Sequence, residues 1–138
     1  MRQIKLIRVS MCCNEAQPNG AVKPVNLDYY MEAETFGRAE EIAVGDLGAQ
    51  EVRGMSRVSF ADYKDYSDGD AECGLFKVLS DLVTVNEATG KEKKTRIVSL
   101  AKGRSVESVT EIFRKETMGF GEVLAGVVRL KVEDVLFN

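Results

Sequence analysis

FKVLSDLVTVNEATGKEKKTRIVSLAKGRSVESVTEIF, residues 76–113, is the stretch that decides the fold. It opens on a β-prone run, turns at Thr89-Gly90, and runs extended again through Lys93–Ala101. Glycine accepts the positive φ of a tight turn, so two β-prone runs about Thr-Gly predict a hairpin. Ser105 then stands where its hydroxyl can accept from the free N–H groups of a helix's first turn. Val106, Val109, Ile112 and Phe113 follow at helical spacing and make one apolar stripe. Gly119 and Gly121 supply an exit. The alternation Arg129-Leu130-Lys131-Val132-Glu133-Asp134 then predicts a strand with one covered face.

The first half of the chain repeats this order. Ile4-Lys5-Leu6-Ile7 through Asn14-Glu15-Ala16 lies over Phe76-Lys77-Val78-Leu79 through Asn86-Glu87-Ala88. Asn19-Gly20 turns the chain into Val22–Met31, and Thr35 stands where Ser105 does. Phe36, Ala39, Ile42 and Ala43 repeat the stripe, Gly45 and Gly48 the exit, and Arg57–Asp62 the closing strand. The expected fold is therefore α+β: tandem duplicated ββαβ units in pseudo-twofold arrangement, with antiparallel sheet and two helices. The expected division is 1–62 for the first repeat, 63–74 for an acidic linker and 75–138 for the second repeat. Three strands and one short helix cannot cover both sheet faces, so the halves are expected to share one core. With 138 residues, 44% hydrophobic and 30% charged, the composition is that of a globular chain long enough to bury one.

Composition also removes reaction classes. The chain has no His, which excludes a Ser-His-Asp or Cys-His triad and imidazole-ligated zinc. Cys12, Cys13 and Cys73 are odd in number and lack Cys-x-x-Cys spacing, so they read as small buried residues, with Cys12 and Cys13 on opposite faces of a strand. Gly90-Lys91 is no phosphate loop, because Val85 replaces the first glycine and Glu92 the Ser or Thr. Asp68-Gly69-Asp70 suggests calcium but meets no EF-hand spacing, and it reads as part of the linker. Glu40 and Glu41 read as a wet helix face. No catalytic residue, metal site or cofactor is expected, and the chain is expected not to be an enzyme. The first residues show no apolar signal-peptide core, and no run is long enough to cross a bilayer, which predicts a cytoplasmic protein with no membrane partner.

Charge is unevenly spread. Residues 1–70 hold 8 basic and 12 acidic side chains, whereas residues 86–115 hold 8 basic and 4 acidic. Lys91, Lys93 and Lys94 cluster at the second hairpin's tip, Arg96 lies on its return strand, and Lys102 and Arg104 precede the helix. Such a hairpin can track a phosphate backbone through counterion release. The expectation is a small binding protein that contacts single-stranded nucleic acid through these six residues. Tyr29, Tyr30, Tyr63 and Tyr66, the candidate stacking platforms, all lie in the acidic half, which weakens the single-strand version. The alternative is a protein–protein adaptor or phage counter-defence factor that binds a host or phage protein. Oligomeric state is left open.

Phe76-Lys77-Val78, Asn86 through Thr95, and Ala33-Glu34-Thr35-Phe36-Gly37-Arg38-Ala39-Glu40 together resemble a family of small uncharacterised proteins from Bacteroidetes and their phages. The shared features are an Ala-x-[Ser/Thr]-Phe-x-x-Ala-Glu helix start and a Lys-rich hairpin in the second half. The resemblance spans most of the chain. It implies a bacterial or phage cytoplasmic protein and carries no catalytic role to any residue. Gly37 departs from the family's polar helix former, which puts the first helix's stability in question.

Overall fold

The computed structural model describes residues 3–69 and 72–137. The elements in chain order are β1 (Ile4–Ala16), β2 (Val22–Met31), α1 (Phe36–Gly45), β3 (Glu51–Phe60) and β4 (Tyr63–Asp65). They continue with β5 (Gly74–Val85), β6 (Glu92–Gly103), α2 (Val106–Thr117), β7 (Glu122–Arg129) and β8 (Val135–Leu136). The architecture is α+β, with two four-stranded sheets ordered β3-β1-β2-β8 and β4-β6-β5-β7. The chain divides into two compact units, one of residues 5–59 with 131–138, the other of 60–130 with the chain's start.

In the unit of residues 5–59, β1 and β2 form a hairpin registered from Ile7↔Met31 to Ala16↔Val22. The alternation of β1 turns Ile7, Val9, Met11 and Cys13 toward α1, which supplies Ala39, Ile42 and Ala43 to the same buried cluster. Cys12 and Cys13 take opposite faces as expected, and Cys13 is buried whereas Cys12 is half-buried. The Thr35 hydroxyl accepts from the Arg38 N–H at 3.1 Å. This cap satisfies one of the four N–H groups a helix start leaves free. Gly37 does not prevent α1 from starting at Phe36. On the other sheet face, Arg8 holds Asp28 at 2.6 Å.

The unit of residues 60–130 has the same plan. β5 and β6 form a hairpin registered from Gly74↔Gly103 to Val85↔Glu92, and β7 pairs antiparallel with the other side of β5 across a bulge at Leu79/Ser80. Ser105 caps α2 as Thr35 caps α1, accepting from Ser108 N–H at 3.1 Å. Phe76, Val78, Ala101, Val109 and Phe113 form the buried cluster. Ser80 is buried on the same sheet face and donates to Glu122 at 2.7 Å, so its burial leaves no unmet hydroxyl.

Four features differ from the sequence reading. The closing strands lie earlier, at Glu51–Phe60 and Glu122–Arg129, not at 57–62 and 129–134. The stretch 63–74, expected as a linker, contributes β4, which pairs parallel with β6 at Tyr63↔Leu100 (Asp70 and Ala71, and with Asp70 part of the Asp68-Gly69-Asp70 triplet, lie outside the described residues). Its counterpart β8 pairs parallel with β2 at Tyr30↔Val135. Thus the strand that follows β3 joins the sheet of β5, and the strand that follows β7 joins the sheet of β1. Both short strands begin alike: Asp62 accepts from Tyr63 N–H and Asp134 from Val135 N–H, each at 2.8 Å. Finally, the two Asn-Glu-Ala triplets do not coincide, since Asn14–Ala16 finishes β1 while Asn86–Ala88 lies in the turn after β5. Ile7, not Ile4, holds the position of Phe76, because Ile7 pairs with Met31 beside β8 as Phe76 pairs with Ala101 beside β4. A shift by an odd number of residues exchanges the two faces of a strand, and the buried Ile7 and Phe76 settle which shift is right.

Candidate nucleic-acid interface

The turn between β5 and β6 is set by Asn86. Its side-chain oxygen accepts from Ala88 N–H at 2.9 Å, its carbonyl accepts from Gly90 N–H at 2.7 Å, and its N–H donates to the Lys91 carbonyl at 2.9 Å. Gly90 has φ +71°, the left-handed conformation that the Thr-Gly signal implied. Lys91 and Lys93 line one open groove at this tip with Thr84, Val85, Asn86 and Thr89. Strand alternation puts Lys93, opposite Thr84, on the face that α2 covers lower down, and Lys94, opposite Val83, on the other face. All three lysines are exposed. Their ammonium groups form no ion pair among the described residues.

The other three residues singled out from sequence do not join this cluster. Arg96 is exposed but engaged: its guanidinium grips Asp81 directly across the hairpin, at 2.8 and 3.4 Å. That paired hydrogen bond holds the Asp81 carboxyl below the usual carboxylate range and raises the guanidinium above its own. Lys102 and Arg104 sit at the opposite end of β6. At about 3.3 Å per residue, Arg104 is roughly 40 Å from Lys91 along the strand. Lys102 is half-buried and faces Asp65 across the β4–β6 pair. The Ser67 hydroxyl and N–H hold the Asp65 carboxyl below its usual range, and the Lys102 charge adds to that.

Tyr63 and Tyr66, the two tyrosines of the same unit, also lie away from the tip. Tyr63 lies on β4, opposite Leu100. Tyr66 packs against the buried cluster and donates its hydroxyl to Glu116 near the end of α2. Burial first, then the hydrogen bond to Glu116, push the Tyr66 phenol far above its ordinary range. The sequence carried no signal for this Tyr66–Glu116 pair, because its members are separated by fifty residues. A raised folded-state pKa means that the folded protein holds the proton after the unfolded chain has released it near pH 10. Stability is therefore expected to be intact below pH 10 and to fall as pH rises above it. Absorbance titration at 295 nm checks this: Tyr66→Phe removes the last tyrosine to ionise and flattens the loss. A Tyr66 that ionised near pH 10 in the folded protein would contradict the burial.

The α2–β7 turn lies at the tip's end of the sheet, since Val83 N–H donates to the Gly121 carbonyl at 2.8 Å. Met118 and Phe120, in that turn, are each 75% exposed. No group of metal-ligating side chains exists among the described residues, and no helix is long and apolar enough to cross a membrane.

Two sheets of equal strand order, one ending in an exposed cationic hairpin, define a small two-unit α+β protein. The chain belongs to the family described as Domain of unknown function (DUF4494), which matches residues 8–136. No curated protein and no solved structure matches it.

Proposed function

We propose that this chain is a non-enzymatic binding module of a bacterial or phage cytoplasm that holds nucleic acid through Lys91, Lys93 and Lys94, without a cofactor. One observation carries the reading: three ammonium groups without ion pairs lie at one hairpin tip, where Glu87 and Glu92 leave a net charge of +1, while the corresponding first hairpin has one cation and is neutral. There Glu15 stands opposite Lys23, so this hairpin needs no surplus of cations to form. Arg96, Lys102 and Arg104 stay outside the site, because Arg96 is spent on Asp81 and the other two sit at the far end of β6. The parallel wiring of the two units supports descent from one copied ββαβ segment, with the tip's charge acquired by one copy.

Fluorescence anisotropy with a labelled oligonucleotide tests it. Three phosphate contacts give a salt slope of about −2.1 to −2.7, so affinity falls roughly 20- to 40-fold between 50 and 200 mM salt. Replacing all three lysines by Gln abolishes that slope, whereas Lys102→Gln with Arg104→Gln leaves it intact. Absence of binding at 50 mM salt removes the proposal. The second reading, a protein adaptor or counter-defence factor, has exposed Met118 and Phe120 on its side. It requires a partner whose capture is lost in Phe120→Ser and kept in the lysine variant.

A further inference from the structure

We infer that the β5–β6 tip is built to enter the major groove of B-form duplex DNA; this rests on the nucleic-acid reading above and specifies its ligand. Here β5 and β6 continue as a two-stranded ribbon. β7 reaches only to the level of Leu82, and Gly121 to Val83, so among the described residues no third strand of this sheet pairs with Thr84 through Lys93. The burial pattern agrees: Phe76, Val78 and Ser80 are buried, Asp81, Leu82 and Val83 half-buried, Thr84 and Val85 exposed, as are all residues from Lys91 to Arg96.

The placement of charge on this ribbon separates a duplex from a single strand. Lys93 is on one face, where Lys91 lines the same groove, and Lys94 is on the opposite face. A single strand laid on either face meets at most two of the three lysines. A ribbon standing in a groove meets phosphates of both walls at once, one from each face. The dimensions fit. Two strands lie about 4.8 Å apart, and a major groove about 12 Å wide and 8.5 Å deep admits such a ribbon. Val83 to Val85 spans about 7 Å at roughly 3.4 Å per residue, and the six-residue turn 86–91 extends it further.

Aromatic chemistry points the same way. Single-strand binders stack successive bases on successive aromatic rings. Residues 82–96 contain no aromatic residue. Phe120 is the one exposed ring placed near the ribbon's base among the described residues, and one ring cannot form a succession. A-form RNA duplexes are excluded by shape, because their major groove is too deep and narrow for side chains to read. Glu87 and Glu92 share the tip with the lysines and keep the attraction modest, so the number of phosphates met decides the ligand.

The test compares three labelled probes of one sequence with the full chain at 50 mM salt: a 20-base-pair DNA duplex, its single strand, and the RNA duplex. The DNA duplex is expected to bind at least tenfold tighter than either other probe and to show guanine N7 protected from dimethyl sulfate. Lys93→Gln and Lys94→Gln are each expected to lower the salt slope by about one contact, and Phe120→Ala to leave duplex affinity within twofold. Equal or tighter binding of the single strand, or a slope that responds to only one of the two lysines, overturns the groove inference and leaves nucleic-acid binding standing. Unprotected N7 positions on a bound duplex do the same. If no probe binds, the proposed function itself fails.

Discussion

Phe113→Ala is expected to destabilise the unit of residues 60–130 by about 3–5 kcal/mol, the cost of truncating a fully buried phenylalanine. Phe113 is wholly buried on α2 and packs with Phe76, Val78, Ala101 and Val109. On β4, Lys64 brings its ammonium 5.9 Å from the centre of the Phe113 ring, so the same substitution loosens the attachment of the short edge strand. The corresponding cluster of residues 5–59 solves the same packing problem with the opposite choice. Its helix offers Ala43 and its sheet Met31, where α2 offers Phe113 and β6 offers Ala101. Large on the helix goes with small on the sheet. Ala101→Met added to Phe113→Ala is therefore expected to recover part of the loss, measured by urea unfolding. A loss below about 1 kcal/mol for Phe113→Ala would mean that the site collapses freely and that the ring does not hold this core.

Gly103→Ala is expected to cost about 1–3 kcal/mol, the range for overfilling a close-packed site. A Cβ at Gly103 would lie 2.5 Å from the Val109 Cγ2, a distance that forces a shift. Val109 has little freedom to yield, because it is fully buried and a β-branched side chain on a helix has one strongly preferred rotamer. The other unit again shows the alternative. Ala33 and Ala39 stand where Gly103 and Val109 do, relative to Thr35 and Ser105, and Ala33 packs against the cluster that holds Ala39. Val109→Ala should thus relieve Gly103→Ala. The double variant is expected to be more stable than the sum of the singles by 0.5 kcal/mol or more, the usual scale for residues in contact. Strict additivity would show that the clash is relieved elsewhere.

These two clusters explain what could and could not be read from the residues. Helix starts at Thr35 and Ser105 and turns at Gly20 and Gly90 were legible because each depends on groups a few residues apart. The hydroxyls cap as expected, and both glycines take positive φ. The closing strands were misplaced because β7 reads Glu-Val-Leu-Ala-Gly-Val-Val-Arg, which has no clean alternation and carries a bulge opposite Leu79/Ser80. The clean alternation after Arg129 belongs to the connection into β8, which bends at Lys131 and holds Lys131 and Glu133 exposed about buried Val132. Of the six cations singled out, charge alone could not separate the tip from the far end of β6, nor see that Asp81 neutralises Arg96.

The residues by themselves determined the local pieces: two hairpins, two capped helices, one apolar stripe each, and an order used twice. Near-neighbour hydrogen bonds and periodic burial suffice for that. Only the tertiary structure decided which short strand closes which sheet, since Tyr30↔Val135 joins residues far apart in the chain and pairings of two or three residues leave no pattern. It also decided the register of the two halves and the choice of helix-large or sheet-large cores. Packing volume is shared between elements and is written in neither one alone.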